Sequence, residues 1–221
     1  MENQTITIER AALLPALTLK AVQRRNTIPI MNNLLFEVDN GRLTLTGSDL
    51  DVEISAALPC AGAKALSTTL PAQIVYDAVR KLPEGAEIAI SVDGGNAKVV
   101  ARRARFTVPI LPASDFPRIS IGELPHTFKL GALTLARIIG SVGFAISSEE
   151  TRYYLNGIYW HAAPDSDGDA LKTVATDGHR LSMLTLPLPE GAAGMPGIIL
   201  PRRTVDLLKD FAGDKGEVQI G

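Results

Sequence analysis

Thr5-Ile6-Thr7-Ile8 alternates polar and apolar positions, the two-residue period of a half-buried strand. Behind it, Leu13, Leu14, Leu17 and Ala21 fall at i, i+1, i+4 and i+8, the stripe of an amphipathic helix. Pro15 lies early enough to shift that helix's start or bend it. Strand-like runs follow at 34–38, 43–46 and 52–55, with Asn40-Gly41 as a hairpin turn between the first two. The same order then recurs. Residues 66–70 predict a strand, and Pro71 suits the first turn of a helix. Ile74, Val75, Ala78, Val79 and Leu82 form its stripe, which Pro83 closes. Ile88, Ile90 and Val92 alternate, Gly94-Gly95 turns the chain, and 98–101 and 106–110 complete the set. Residues 1–120 therefore hold two β-α-β-β-β units.

The second half repeats the first. Residues 128–130 open it, and Leu135, Ile138, Ile139 and Val142 supply a helix. Asn156-Gly157-Ile158-Tyr159-Trp160 aligns with Asn33-Leu34-Leu35-Phe36-Glu37, residues 171–177 with 43–49, Leu200-Pro201 with Leu70-Pro71, and 217–220 with 87–90. The offsets are 123, 128, 130 and 130. Asp165-Ser166-Asp167-Gly168-Asp169 is the largest insertion and is expected to be a surface loop; it lacks the spacing and terminal Glu of a calcium loop. The hairpin and the 109–119 tail of the first half have no counterpart before Gly221, so the pattern predicts a chain cut inside its second domain. The expected domains are 1–121 and a truncated 127–221, with no third.

Composition is that of an ordinary globular protein: 221 residues, 46% hydrophobic and 21% charged. The single Cys60 excludes an intrachain disulfide, and His126, His161 and His179 make no metal-binding pattern, so no metal or cofactor is expected. There is no signal peptide pattern and no membrane-length apolar run, which predicts a soluble cytoplasmic protein. A net charge of −2 excludes a uniformly basic nucleic-acid binder. Its distribution changes that picture. The four helical segments and their flanks (9–25, 71–83, 129–143 and 201–210) carry 11 basic and 4 acidic residues, net +7, which leaves −9 for the rest. A basic helical face can track phosphates without reading sequence, although solvated helix surfaces would show the same count.

Phe144–Gly157 (FAISSEETRYYLNG) and Val174–Leu181 (VATDGHRL), with RRNTIPI around Arg25, RKLPEGA from Arg80 and LPASDFP from Leu111, resemble the bacterial β sliding clamp, the processivity subunit of DNA polymerase III. The likeness runs from about Thr5 to Gly221. It implies an α+β DNA-clamp fold of repeated β-α-β-β-β units, with helices lining a central hole and sheets outside. It implies a head-to-tail homodimeric ring of three-domain chains that slides on double-stranded DNA. Implied partners are the DNA polymerase III catalytic subunit, an ATP-driven clamp loader, and other polymerases and repair proteins. It implies no catalysis of its own.

The resemblance assigns three sets of residues. On the DNA face it places Arg25, Gln73, Arg80, Arg137, Glu149, Tyr153, Tyr154 and Arg203. Gln73 shares a polar helix face with Asp77 and Arg80, Glu149 is an acid that would repel phosphate, and one of the two tyrosines could instead be core. In a partner-peptide pocket it places Leu155, Thr176, Gly178, His179, Arg180 and Leu181, a plain turn at Asp177-Gly178 being the alternative. At the ring interface it places Ile74, Ala78, Arg103, Arg105 and Phe106, against a basic edge strand that merely resists aggregation. An enzyme built on Asp177 and His179 with Ser147 or Ser182 fits no nucleophile motif, and no phosphate-binding loop is present. A protein-interaction module that keeps the fold without the ring is the alternative function.

Overall fold

A computed structural model describes residues 5–17, 27–166, 168–211 and 215–221. Arg25 and Ala21 lie outside the described residues. The chain divides into two compact units, Met1–Ser120 and Ile121–Gly221.

The first unit runs β1 (Thr5–Glu9), α1 (Arg10–Ala16), β2 (Asn33–Asp39), β3 (Arg42–Ser48), β4 (Glu53–Pro59), a two-residue β5 (Ala61–Gly62), β6 (Ala65–Pro71), α2 (Ala72–Arg80), β7 (Glu87–Asp93), β8 (Asn96–Ala101) and β9 (Ala104–Pro109). Its sheets do not follow the two sequence repeats. The orders are β5-β1-β7-β8-β9 and β4-β3-β2-β6, so each repeat gives its first strand to the sheet of the other. β1 meets β7 antiparallel with Ile8 opposite Ile88, and β2 meets β6 with Leu34 opposite Leu70. Alternation then turns Ile6, Ile8, Leu34, Phe36, Val38, Ile88 and Ile90 inward against Leu13, Val75 and Val79 of the helices, forming one core.

The opposite face of β2 is covered as well. The segment after β9 is fastened across it: Leu111 N–H donates to Thr69 Oγ1 at 3.2 Å while that hydroxyl donates to Leu111 C=O at 2.8 Å. Arg118 reaches Glu37 at 2.8 Å and Glu53 at 3.5 Å. Leu35, Thr46 and Thr69 are buried on this face, and Phe116 is buried too.

The second unit runs β10 (Phe128–Gly131), α3 (Ala132–Val142), β11 (Gly157–Asp165), β12 (Gly168–Thr176), β13 (Leu181–Pro187), β14 (Ile198–Pro201), α4 (Arg202–Phe211) and β15 (Glu217–Ile220). Its sheets are β13-β12-β11-β14 and β10-β15, the same exchange of first strands. Ala132 N–H donates to Gly216 C=O as Arg10 N–H does to Ala86 C=O.

The register corrects one sequence alignment. Ile158 faces Leu200 as Leu34 faces Leu70, so Ile158 corresponds to Leu34 and buried Trp160 to buried Phe36, an offset of 124 rather than 123. Matching the two Asn-led strings put Trp160 on Glu37, and a slip of one residue exchanges the faces of a strand. The Asp-rich insertion is also not a free loop: the β11–β12 ladder continues to Asp165 opposite Gly168, and Lys172 pairs with Asp165 at 3.4 Å. On the outer face of this sheet Tyr159, Ile199 and Met183 occupy the row equivalent to Leu35, Thr69 and Ser55, and they are 42–56% exposed.

The two units share a turn. Asp49 Oδ1 accepts the N–H groups of Asp51 and Val52, and Leu50 N–H donates to Ser48 Oγ. Asp177 Oδ1 accepts those of His179 and Arg180, and Gly178 N–H donates to Thr176 Oγ1. The residue after the aspartate needs a left-handed backbone: Gly178 has φ +89° and Leu50 has φ +79°. A leucine there is strained by roughly 1–2 kcal/mol. Leu50→Gly is therefore expected to stabilise the first unit by about 0.5–1 kcal/mol in a denaturant titration, glycine's unfolded-state entropy cancelling part of the relief.

Candidate functional site

On α2, Ala72, Val75 and Val79 face the core, which leaves Gln73, Asp77 and Arg80 as the polar strip that the i, i+4, i+7 spacing predicts. Gln73 Nε2 donates to Asp77 Oδ2 at 2.9 Å, and Arg80 pairs with Asp77 at 3.5 Å while lying 5.6 Å over the Tyr76 ring. Asp77 thus lies beside the one cation that this strip would offer a phosphate. The guanidinium of Arg10 donates to the carbonyls of Val79 and Arg80, a cation on the negative end of the helix.

Ile74 is exposed and Ala78 half-buried on α2. Arg103, Arg105 and Phe106 stand together on a separate element, the β8–β9 hairpin, where Arg102 takes φ +52° and β9 is the sheet edge. Phe106 lies opposite buried Val99, on the core side of that edge strand, yet remains exposed.

In the second unit the chain between α3 and β11 forms a closed loop. Ser147 N–H donates to Leu155 C=O at 3.1 Å, Glu149 N–H to Ser147 Oγ, and Asn156 Nδ2 to Glu149 C=O. Residues 150–155 form a 3-10 stretch kinked at Arg152. Tyr153 and Tyr154 are 78% and 56% exposed with their rings edge to face at 5.6 Å, so neither belongs to the core. Leu155 is half-buried beneath them. Glu149 is ion-paired with Arg152 at 3.0 Å, so the acid does not stand alone at the loop. The sequence signal for Arg152 is its i, i+3 spacing from Glu149. Its guanidinium lies over the neighbouring turn, 3.3 Å from where a Cβ on Gly178 would be. Arg137 on α3 and Arg203 on α4 are exposed.

That turn carries the remaining residues. Thr176 Oγ1 donates to Arg180 C=O at 2.7 Å, Asp177 Oδ2 accepts from Arg180 Nε at 2.9 Å, and Arg180 lies 5.4 Å over Phe144. His179 is exposed, and Leu181 is 66% exposed at the start of β13. Ser182 Oγ donates to Ser141 C=O and fastens β13 to α3. The hydroxyls of Ser147 and Ser182 and both oxygens of Asp177 are thus committed to structural bonds, and burial pushes the Cys60 thiol up.

The N–H groups of His179 and then Arg180, with the Arg180 guanidinium, hold the Asp177 carboxyl down to about 2. A depressed carboxylate contributes stability above its unfolded value of about 4 and loses it as pH falls toward 2. The amide resonances of His179 and Arg180 are therefore expected to titrate with a midpoint near 2; a midpoint near 4 would show that the turn does not hold the carboxylate.

Residues 4–120 match the family model for the DNA polymerase III beta subunit N-terminal domain, and residues 129–221 match that for its central domain. A beta sliding clamp of Caulobacter vibrioides is 44% identical over 226 residues, covering 97% of this chain and 60% of its own length. That of Escherichia coli K12 is 37% identical, covering 97% and 59%. Among solved structures, a sliding clamp from Bartonella birtlesii bound to griselimycin superposes with a TM-score of 0.93 at 41% identity, covering 99% of this chain and 59% of its own. A Caulobacter crescentus clamp gives 0.92 at 41% identity. The chain thus spans about three fifths of the length of the relatives it matches.

Proposed function

Because the chain belongs to the DNA polymerase III beta subunit family, we propose that it supplies the first two domains of a sliding clamp that holds double-stranded DNA without reading its sequence. The observation that supports this most directly is the pinned loop at 147–156, which presents Tyr153 and Tyr154 to solvent beside the Asp177 turn. One small region would then serve two partners. Arg137, Arg203, Tyr153 and Tyr154 in the second unit would contact the duplex, and Arg25, Gln73 and Arg80 are the corresponding candidates in the first. A few long basic side chains, partly working through water, hold phosphates without fixing a register, as sliding requires.

Leu155, Thr176, Gly178, His179, Arg180 and Leu181 would form one wall of a peptide pocket. Leu181 is the exposed apolar contact and Arg180, braced by Asp177 and Phe144, the rim. The polymerase III catalytic subunit, the clamp loader and other polymerases and repair proteins would dock there by short peptides. Arg103, Arg105 and Phe106 on the β9 edge, with Ile74 and Ala78, would meet a second chain in the ring. Nothing in this role needs turnover, metal or cofactor. Among the described residues no helix is long and apolar enough to cross a membrane.

The test is a titration of the chain with duplex DNA over a range of salt. Binding should be independent of sequence, and Arg137→Ala and Arg203→Ala should each flatten the log–log salt slope by about one. Slopes unchanged in both variants would remove these residues from the DNA face. Apolar peptide binding lost in Leu181→Asp with DNA binding intact would separate the two surfaces. Peptide binding in a chain with no affinity for duplex would favour the interaction module without a ring.

A further inference from the structure

Arg202 opens α4 and directs its guanidinium to the loop that carries the tyrosines. Nη2 donates to Ile146 C=O at 2.5 Å and to Ser147 C=O at 3.0 Å. Its backbone N–H donates to Asn156 C=O at 2.7 Å. One residue therefore grips both stems of the 147–156 loop, the entering stem by its side chain and the leaving stem by its backbone. Ser147 N–H in turn donates to Leu155 C=O, so the gripped peptide is the one that fixes the backbone beneath Tyr153 and Tyr154. The first unit begins its equivalent helix α2 with Ala72, whose methyl group has no donor for such a grip.

We infer that Arg202 is a positioning residue. It holds the 147–156 loop so that Tyr153 and Tyr154 stay presented and Arg152 stays over the Thr176–Leu181 turn, coupling the DNA face to the peptide wall; this rests on the function proposed above. Two charge-assisted bonds into adjacent carbonyls restrain a loop whose other ties are neutral hydrogen bonds and one exposed ion pair. The residue borders a groove of about 560 Å3 lined also by Ala136, Ile139, Gly140, Gly143, Phe144 and Lys209, which leaves a direct phosphate contact as the competing role.

Amide hydrogen exchange on the whole chain separates the two roles. Arg202→Gln should speed exchange at Ser147 and Asn156 by about tenfold or more, while Leu207 and Leu208 within α4 and the emission of Trp160 stay unchanged. Arg202→Lys can reach one carbonyl and should recover part of the protection; it carries the measurement if the glutamine variant unfolds. Duplex affinity should fall in Arg202→Gln with its salt slope unchanged. Unchanged exchange at Ser147 and Asn156 in a folded variant overturns the inference, as does a slope flattened by about one without any change in exchange. If the unsubstituted chain binds no duplex, the functional reading fails, and exchange at these two amides still decides whether Arg202 holds the loop.

Discussion

Gly157→Ala is expected to destabilise the second unit severely. Gly157 is buried at the start of β11, opposite Pro201, where the neighbouring strand β14 comes close to it. A Cβ there would lie 2.3 Å from Leu200 C=O and 2.7 Å from Ile199 Cγ2. The first neighbour is backbone in a paired strand and cannot rotate aside, so the β11–β14 ladder must open. The cost is about 3 kcal/mol, the upper part of the usual range for overpacking and a large share of the stability of a domain this size. The protein carries its own probe. Trp160 is the only tryptophan, is buried in the same strand and sits in the second core. Its emission should shift to the red at a denaturant concentration well below that of the unsubstituted chain. A midpoint unmoved by the substitution would mean that β14 does not come this close to Gly157.

Phe36→Ala is the complementary experiment, with an expected loss of about 3–5 kcal/mol from the first unit. Phe36 is fully buried at the centre of β2, between Leu45 and Thr68 on the neighbouring strands, and belongs to the first core. Far-UV circular dichroism should lose about half its cooperative transition to a lower midpoint while Trp160 keeps its native emission. If Trp160 shifts together with the dichroism, the two units unfold as one, and the separate cores do not mark separate folding units.

These two positions show what was legible in the sequence. Phe36 and Trp160 both fall in continuous apolar runs, Leu34-Leu35-Phe36 and Ile158-Tyr159-Trp160, which mark a strand without saying which of its faces is the core. Their equivalence is a matter of register, which the Asn-led strings at Asn33 and Asn156 misread by one residue. The strand partner that would have settled it, β14 opposite β11, lies about forty residues away in sequence. The exchange of first strands between repeats was hidden for the same reason, because periodicity reports which face is buried and not which neighbour is paired. At the site, the helix spacing of Gln73, Asp77 and Arg80 and the turn at Asp177-Gly178 were readable locally. The burial of the loop stems under Arg202 and the reach of Arg152 over Gly178 were not, since both join elements that only the fold brings together.

The exchange of first strands also sets a timetable for synthesis. β1 is made early and its partner β7 roughly eighty residues later, and roughly ninety residues separate β10 from β15. At about 5–20 residues per second on the ribosome, each opening strand waits roughly 4–18 s for its partner to be translated. During that interval Ile6 and Ile8, and later Phe128 and Leu130, are apolar strands without a sheet. The nascent chain is therefore most open to mispairing with its neighbours on a polysome in the seconds before β7 and β15 emerge, and a translational pause placed between β1 and β7 would lengthen that exposure without changing the finished molecule.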